Sequence, residues 1–304
     1  MLTEARVEID PALAEAWSSV LAAHGDERWS VFEDVDAKTA RVYGFFADEA
    51  QARSAWVAVE AALAARKGIG RAPGRPVFRP IADEDWRESY KAHFKAWRHG
   101  RLHWVPEWER AKHRLPRGHV AVYLDPGMAF GTGNHETTRL CVQRLVAWSA
   151  RLTPRRRASA SVIDAGCGSG ILAISAARLG FRDIFAFDND AEAVAIARTN
   201  ARRNGVGSSM RVRTADLVSA LRGRAADVLL ANIQANVLLG AARELLAAVK
   251  PGGLLVLSGI LANEAADVVA GFRAAGASGR LDVRRLGQWS SVVWRAPRGR
   301  VTNR

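Results

Sequence analysis

The segment 162–180, with the sequence VIDAGCGSGILAISAARLG, constrains the fold of this chain more than any other segment. It predicts a buried strand at Ser161–Asp164, a turn with glycine at every second position, and an apolar helix over Ile171–Leu179. Glycine is favoured where the backbone turns sharply or lies against a ligand, because a Cβ would clash there. The following helix N-terminus offers unpaired N–H groups to an anion. The segment therefore predicts a strand–turn–helix unit that binds a ligand at its turn.

An acidic residue follows at the distance expected for a ribose ligand. Asp188 ends the next predicted strand, about 20 residues after the glycines, where a carboxylate accepts hydrogen bonds from ribose hydroxyls. Asp164, Gly166, Gly168 and Gly170 form a D-x-G-x-G-x-G pattern, whereas nicotinamide sites usually have the longer G-x-G-x-x-G spacing. The pattern resembles class I S-adenosylmethionine methyltransferases, in which the acid and the glycine loop lie near the amino acid part of the cofactor. A glycine turn without a ligand and a nicotinamide site are the alternatives.

The rest of the C-terminal half alternates between predicted strands and helices, which is typical of a doubly wound, mostly parallel α/β sheet. Ligands bind beyond the carboxyl ends of such strands. Polar residues follow four of them, so we expect one sheet edge to gather Asp164, Asp188, Asp216 and Asn232. The other predicted elements are helices at Ala191–Asn204, Val237–Val249 and Asn263–Ala275, strands at Met210–Thr214, Asp227–Ala231 and Leu254–Ser258, and a hairpin of Leu281–Leu286 and Ser290–Ala296.

A second glycine-rich loop, Leu124–Cys141, precedes the cofactor signature. His135 lies in it among small polar residues, and Thr137–Thr138 are predicted to cap the helix that follows. A histidine at such a place either packs against the surface or helps to orient a substrate. The residues alone leave both interpretations open.

The N-terminal part predicts a separate small domain. Helices are expected at Asp10–Ala23 and Ala47–Ala65, and strands near Ser30–Glu33 and Ala40–Phe46. The stretch Arg71–Pro80 contains three prolines and a glycine and therefore predicts a linker. We predict a substrate-recognition domain at residues 1–74, a linker segment at 75–119 and a catalytic domain at 120–304.

Tryptophans and basic residues are concentrated between Trp86 and Trp108. Such a mixture is typical of a platform for nucleic acid, but it is also typical of aromatic packing of the linker segment onto the catalytic domain. We favour packing.

The formal net charge of +13 attracts nucleic acid and ribosomes only in a general way. Two cysteines without metal-ligand spacing fit a reducing cytoplasm, and neither a signal sequence nor a membrane-spanning apolar stretch is expected.

Four motifs together resemble the methyltransferase family that modifies protein L11 of the large ribosomal subunit. They are DPGMAFGTGNHETT, DAGCGSGILAI, NIQAN and KPGGLLVLSGIL, and the resemblance extends from about Ile81 to Arg295. It implies a ferredoxin-like N-terminal domain joined to a class I methyltransferase domain, with S-adenosyl-L-methionine as cofactor. It also implies methylation of lysine, with N-terminal amino groups as a second acceptor, on a ribosomal protein. Thr138, Gly166, Asp188 and Asn232 fall on the family's cofactor-contact positions.

The residues after Asn232 argue against a nucleic-acid base as the acceptor. Methyltransferases that act on exocyclic base nitrogens resemble one another in an Asn/Asp-Pro-Pro-aromatic turn at this strand end, because a planar base needs an aromatic face. Ile233 and Gln234 stand here instead. A flexible amine fits this turn better, although Asn232 alone is also compatible with an ordinary turn residue.

These observations predict a monomeric protein-lysine methyltransferase without a metal. We expect Asn232 and His135 to orient the acceptor. The expected cofactor-binding residues are Thr138, Asp164, Gly166, Gly168, Asp188, Asp216 and Asn232. The competing hypotheses are a catalytically idle ribosome- or RNA-binding protein with the same fold, and a nicotinamide-dependent oxidoreductase.

Overall fold

The structure is a computed structural model that describes residues 2–24, 26, 28–34, 39–65, 74–81, 96–124 and 135–298. Trp86 and most of the loop containing FGTG, at 125–134, lie outside these residues, as do the C-terminal basic residues from 299 onward. The chain divides into two compact units, Met1–His93 and Phe94–Arg304.

The first unit has the ferredoxin-like order of strands and helices, as predicted. Its sheet has the order β2-β3-β1-β4, and neighbouring strands are antiparallel. Val77–Ile81, within the segment predicted as a linker, pairs with the first strand, so this strand is part of the N-terminal sheet. The elements are β1 (Leu2–Ile9), α1 (Ala14–His24), β2 (Trp29–Asp34), β3 (Thr39–Phe46), α2 (Glu49–Ala64) and β4 (Val77–Ile81).

One face of this sheet packs against both helices. Trp17 of α1 and Trp56 of α2 stack at 6.2 Å between ring centroids, and Trp29 of β2 meets the edge of Trp56. Gly44 of β3 is required by this packing, because a Cβ there would lie 2.7 Å from the Trp29 ring. Alternate residues of each strand therefore point away from the helices.

The second unit begins with a small sheet of β5 (Trp97–His99), β6 (Leu102–Pro106) and β7 (Val120–Leu124). Trp104 is 2% exposed and donates a hydrogen bond from its Nε1 to Ser175 Oγ at 2.9 Å. Trp97 stacks on Trp104, with 3.9 Å between ring centroids. These contacts confirm packing as the role of these two rings.

A seven-stranded sheet with the order β10-β9-β8-β11-β12-β14-β13 forms the centre of this unit. The first five strands are parallel, and the last two form an antiparallel hairpin. The predicted doubly wound class I methyltransferase fold is thereby confirmed. The strands are β8 (Ser161–Ala165), β9 (Asp183–Asp188), β10 (Met210–Thr214), β11 (Ala226–Asn232), β12 (Val249–Leu261), β13 (Leu281–Leu286) and β14 (Trp289–Arg295).

Helices cover both faces of the large sheet and enclose two apolar clusters. Leu145, Ile174 and Val194 belong to one cluster, and Leu238, Leu245 and Phe272 to the other. The single helix predicted over Val237–Val249 is two short helices, Ala235–Gly240 and Ala242–Ala247, with Ala241 between them. The helices of this unit are α3 (Glu136–Ser149), α4 (Pro154–Ser159), α5 (Ile171–Leu179), α6 (Ala191–Arg203), α7 (Leu217–Leu221), α8 (Ala235–Gly240), α9 (Ala242–Ala247) and α10 (Ala265–Ala274). No helix in the described part has the length and apolar character that a membrane span needs.

Three histidines form a chain beside the small sheet. The His103 ring is 5% exposed, with Nδ1 at 3.0 Å from His113 Nε2 and Nε2 at 2.8 Å from His119 Nδ1. Burial, together with the neighbouring His113, His119 and Arg98, lowers the pKa of His103 below its ordinary value of about 6.5. The buried ring is therefore held in its neutral form.

The buried, neutral His103 predicts that the protein loses stability in mild acid. Below pH ~6.5 the unfolded state binds more protons at His103 than the folded state does, so the free energy of unfolding falls as the pH falls. We expect the decline in melting temperature between pH 7.5 and 5.5 to be smaller in His103→Phe, which cannot titrate. His24→Gln, in the other unit, serves as the control and should decline like the wild type. An undiminished decline in His103→Phe would contradict this role.

Candidate functional site

A cavity of about 820 Å³ opens beyond the carboxyl ends of the parallel strands. Six of the eight residues predicted for the site line it, and Thr138 and Asp164 do not. The predicted residues on its wall are His135, Gly166, Gly168, Asp188, Asp216 and Asn232. The wall also includes Thr137, Phe187, Asn189, Ala215, Leu217, Ile233, Gln234, Val237, Gly259 and Trp289.

The glycine loop between β8 and α5 adopts a conformation that other residues rarely adopt. Gly166, Gly168 and Gly170 have φ values of +69°, +49° and +80°. The N–H groups of Gly166 and Cys167 donate to the Phe187 carbonyl at 3.0 and 2.9 Å, which fastens the loop to β9. A Cβ on Gly166 would lie 2.4 Å from Ile233 Cγ2. The loop is thus both a backbone wall of the cavity and a tight contact with the turn after β11.

Asp188 is oriented by the same loop. Its Oδ2 accepts a hydrogen bond from Gly168 N–H at 2.8 Å, and its Oδ1 accepts one from Asp190 N–H at 3.1 Å. The carboxylate is half-buried on the cavity wall. It is therefore a fixed acceptor at the strand end where a ribose is expected.

Asp164 is buried behind the cavity wall and supports the fold there. It is fully buried, and its Oδ2 accepts from Ala173 N–H at 2.9 Å, which joins β8 to the first turn of α5. Oδ1 is buried without a partner among the described residues. Burial raises the pKa of this carboxyl to about 7, with a further upward contribution from Asp188. Asp164 thus supports the glycine loop from behind the cavity wall.

Asp216 caps a short helix at the edge of the cavity. Its Oδ1 accepts from Ser219 N–H at 3.0 Å. Hydrogen bonds from the Ser219 hydroxyl and N–H lower the pKa of Asp216 below its usual value. The residue is therefore an anion on the rim next to Leu217, which also lines the cavity.

Asn232 ends β11 and carries an unsatisfied acceptor. Its Oδ1 is buried and has no hydrogen-bond partner among the described residues. The turn that follows is fixed, because Ile233 N–H donates to the Ser258 carbonyl at 3.1 Å and Gly259 approaches closely. A Cβ on Gly259 would lie 2.5 Å from the Ile233 carbonyl oxygen. A buried acceptor without a partner costs free energy, and Asn232 lines the cavity, so this oxygen is a candidate acceptor for a donor on a ligand.

His135 caps the helix that Thr137–Thr138 were predicted to cap. Its Nδ1 lies 2.8 Å from the Thr137 hydroxyl and accepts from Thr137 N–H at 3.4 Å, so the predicted threonine cap is wrong. The first N–H groups of a helix have no partner within it, and Nδ1 accepts from one of them, that of Thr137. The ring packs against Trp289, with 4.9 Å between ring centroids. Burial lowers the pKa of His135. Because a backbone N–H can only donate, Nδ1 carries no proton and the neutral ring is protonated at Nε2.

Thr138, one position further along α3, is fully buried. Its Oγ1 has no hydrogen-bond partner among the described residues. The same first turn is tied to the sheet by Ser258, whose hydroxyl donates to the Thr137 carbonyl at 3.1 Å. Thr138 therefore lies behind the wall that His135 and Thr137 form.

Ten residues of the wall were not among the predicted site residues, and three of them shape the site around His135 and Asn232. Trp289 begins β14 and packs on His135, and Gly259 supports the Asn232 turn. Gln234 lines the cavity directly after that turn. The LSGIL segment contained a signal for Gly259, because a glycine inside a strand is unusual and often marks a close approach of another backbone.

Within the described residues, no three His, Cys, Asp or Glu side chains are grouped to hold a metal ion. The cavity wall combines a glycine loop, a fixed carboxylate and an unpaired amide oxygen. This set suits an organic cofactor with ribose hydroxyls together with a ligand that donates hydrogen bonds.

Comparison with known proteins identifies the family. Residues 4–296 match the family described as Ribosomal protein L11 methyltransferase (PrmA). A protein named ribosomal protein L11 methyltransferase from Pelobacter propionicus is 43% identical over 226 residues, covering 73% of this chain and 70% of that protein. A protein of the same name from Pelotomaculum thermopropionicum is 39% identical over 253 residues, covering 82% and 78%.

A solved structure agrees with these matches. It is described as ribosomal protein L11 methylase from Lactobacillus delbrueckii subsp. bulgaricus, with 28% identity and a TM-score of 0.59. The match covers 68% of this chain and 100% of that chain. The family match spans nearly the whole sequence, including both units. The chain belongs to the ribosomal protein L11 methyltransferase family.

Proposed function

We propose that this protein transfers methyl groups from S-adenosylmethionine to amino groups of ribosomal protein L11, with lysine side chains as the main acceptors. The observation that carries the proposal is the buried, unpaired Asn232 Oδ1 on the same cavity wall as Gly166 and Asp188. A cofactor site and a hydrogen-bond acceptor for an amine are thereby adjacent. A ribosomal protein substrate also favours the cytoplasm as the site of the reaction.

The residues present fit S-adenosylmethionine. Gly166 and Gly168 offer a backbone surface without side chains, and Asp188 is a fixed acceptor for ribose hydroxyls. Asp216 and Leu217 form the rim beside them. When bound, the cofactor supplies an electrophilic methyl group on a positively charged sulfur.

Asp188→Ala should weaken S-adenosylmethionine binding by about 1.5–3 kcal/mol, the usual contribution of hydrogen bonds to a charged group. The reason is that two ribose hydroxyls lose their acceptor. Calorimetry on the purified protein measures the change. Asp183→Ala, at the opposite end of β9 and ion-paired with Arg211, is the matched control and should bind normally. Equal affinities for wild type and Asp188→Ala would exclude the ribose-binding role.

Methyl transfer requires the neutral amine. A lysine with a pKa of about 10.4 pays roughly 4–5 kcal/mol to be neutral at pH 7. The two carboxylates on the described wall have other roles in this proposal, because Asp188 holds the ribose hydroxyls and Asp216 caps α7. We therefore assign activation to desolvation and positioning, with Asn232 Oδ1 accepting an N–H of the amine and directing its lone pair.

His135 serves in this proposal as a positioning residue and not as a base. Its Nδ1 accepts from Thr137, and the neutral ring already carries its proton on Nε2. His135→Ala should lower the rate modestly, and the rate of both proteins should keep rising with pH above 7 as the acceptor lysine deprotonates. A pH–rate profile on a peptide with one lysine tests this expectation. A pH dependence below about 6.5 that is present in the wild type and lost in the variant would identify a general base.

We further propose that the N-terminal unit, whose sheet includes β4 from the segment predicted as a linker, recognises the protein substrate, and that the unit Phe94–Arg304 catalyses the transfer. The support is that the described wall of the cavity lies wholly within Phe94–Arg304. Recognition of a folded protein then requires a surface outside the catalytic cavity.

One experiment separates this function from its alternatives. Calorimetry with S-adenosylmethionine and NAD tests the cofactor, and labelled S-adenosylmethionine with purified ribosomal proteins tests turnover. We expect binding of S-adenosylmethionine alone and label on L11. Binding of NAD would favour an oxidoreductase. Cofactor binding without label on any ribosomal protein would favour an idle fold.

A further inference from the structure

The amino ends of the parallel strands form an edge of the large sheet that lies opposite to the cavity and is rich in arginine. Strands β8 to β12 begin at this edge, and β14, which is antiparallel to β12, ends there. The carboxylates at these six strand ends are Asp183 and Asp227. We define the basic edge, in sheet order from β10 to β14, as Arg211, Arg182, Arg155, Arg156, Arg222, Arg224, Lys250, Arg295 and Arg298.

A cavity of about 270 Å³ lies in the middle of the basic edge, at the amino ends of β8, β9, β10 and β11. Three cationic side chains line it, those of Arg211, Arg224 and Lys250. Asp183 is the carboxylate on the same wall. A concave surface on which cations outnumber carboxylates concentrates anions. The proposed methyl transfer does not use this cavity, because the cofactor site lies at the other ends of the strands.

Two of these cations are held in place before any ligand binds. The Arg224 guanidinium lies 4.2 Å from the centroid of the Phe185 ring. The Lys250 ammonium donates to Ser161 Oγ and to Asp227 Oδ2, each at 2.8 Å. A side chain that is already ordered loses less conformational entropy when it binds a ligand. These contacts therefore favour binding of an anion in the cavity.

Most of the positive charge of the basic edge is not balanced by carboxylates. Arg211 pairs with Asp183 at 2.6 Å, and Lys250 pairs with Asp227. The other arginines are exposed and have no carboxylate partner among the described residues; they are Arg155, Arg156, Arg182, Arg222, Arg224, Arg295 and Arg298. Crowded like charges repel one another and destabilise the compact state. Stability of the fold therefore does not explain their accumulation, whereas a polyanionic ligand does.

The length and the composition of the basic edge favour a duplex over a single strand. Neighbouring strands lie about 4.8 Å apart, so six strands span roughly 24 Å. The ring at the cavity, Phe185, is 6% exposed and lies beneath Arg224. Single-stranded nucleic acid is bound by stacking of its bases on rings, whereas duplex RNA is bound by shape and by contacts to its backbone. The guanidinium group matches the geometry of phosphate, so the basic edge fits a regular row of phosphates.

We propose that the basic edge binds double-stranded RNA through its phosphates, with Arg222 and Arg224 beside the cavity as central contacts. The choice of RNA among polyanions rests on the proposed function, because a protein that modifies a ribosomal protein meets folded RNA. Contacts to phosphate carry no sequence information, so the binding is independent of sequence and weakens as salt is added. Because the two sites lie at opposite ends of the strands, RNA and S-adenosylmethionine bind at the same time.

Titration of a fluorescently labelled RNA duplex of about 16 base pairs with the full chain, followed by anisotropy at several salt concentrations, tests the proposal. Cofactor and L11 are absent, so the result does not depend on methyl transfer. We expect the double variant Arg222→Ala/Arg224→Ala to bind about tenfold more weakly. The slope of log affinity against log salt should become shallower by about 2, because two phosphate contacts are lost. Arg222→Lys/Arg224→Lys keeps both charges and should keep the slope. Circular dichroism checks that each variant is folded.

The matched control is Arg284→Ala/Arg285→Ala, which removes two exposed arginines of β13 near the opposite edge of the sheet. It changes the net charge by the same amount and should keep the affinity and the salt slope of the wild type. An equal loss in both double variants would reduce the binding to general charge attraction and overturn the proposal. Absence of duplex binding by the wild type would overturn it as well. So would competition by polyglutamate as effective as that by unlabelled duplex, which would identify a surface for acidic proteins.

Discussion

Substitution of Gly166 by valine is expected to reduce the affinity for S-adenosylmethionine by about a hundredfold, or ~2.7 kcal/mol. Two causes combine. Gly166 has a φ of +69°, which costs other residues roughly 1–2 kcal/mol. A Cβ would also lie 2.4 Å from Ile233 Cγ2, so the branched side chain must displace the Asn232 turn or enter the cavity. Calorimetry of the variant measures the loss.

Gly223→Val is the matched control, because Gly223 has the same φ of +69° and nothing within 4 Å of its Cβ position. Both variants carry the backbone strain, but only Gly166→Val crowds the cavity. Gly223→Val should therefore have a lower melting temperature and an unchanged cofactor affinity. If Gly166→Val binds the cofactor as the wild type does, the loop has only a structural role.

Asn232→Ala is expected to lower turnover by about tenfold or more while it changes cofactor affinity much less, each factor of ten being ~1.36 kcal/mol of activation free energy. Its Oδ1 is the buried acceptor that orients the amine, and only contacts that strengthen in the transition state raise turnover. Asn236→Ala, an exposed asparagine whose Oδ1 accepts from Val237 N–H, is the control and should keep full turnover.

Steady-state kinetics with L11 separates the two possible outcomes for Asn232→Ala. A fall in turnover with little change in the cofactor dissociation constant supports orientation of the amine. A parallel loss of cofactor affinity and an unchanged turnover at saturation would make Asn232 a cofactor-binding residue only.

The sequence predicted the catalytic fold well because its strands are short, apolar and separated by clear helix signals. Asp227–Ala231 and Leu254–Ser258 are nearly as predicted, inside β11 and β12. The N-terminal sheet was harder to predict. In β1, Glu4, Arg6 and Glu8 alternate with apolar residues, and this half-exposed pattern is weaker than a buried run. β4 lies among prolines that are also typical of a linker, and only its pairing with β1 identifies it as a strand.

The parts of the candidate site that depend on backbone conformation could be predicted from the sequence. The glycines and Asp188 follow from strand-turn-helix geometry and lie on the cavity wall. Asp164 and Thr138 have the expected neighbours in sequence, but their side chains point into buried surroundings that spacing alone does not predict. Trp289 reaches the site from β14, more than 100 residues after His135, and this contact depends on the sheet order. Long-range contacts of this kind need the structure.

The most direct test of the proposed function is the intact mass of purified L11 after incubation with the protein and S-adenosylmethionine. Methyl transfer to amino groups predicts mass increases in whole methyl groups that are located on lysine or on the N-terminus by fragmentation. The increases should be strongly reduced with Asn232→Ala and retained with Asn236→Ala. An unchanged mass of L11, under conditions in which calorimetry shows bound cofactor, would contradict the proposed methyl transfer.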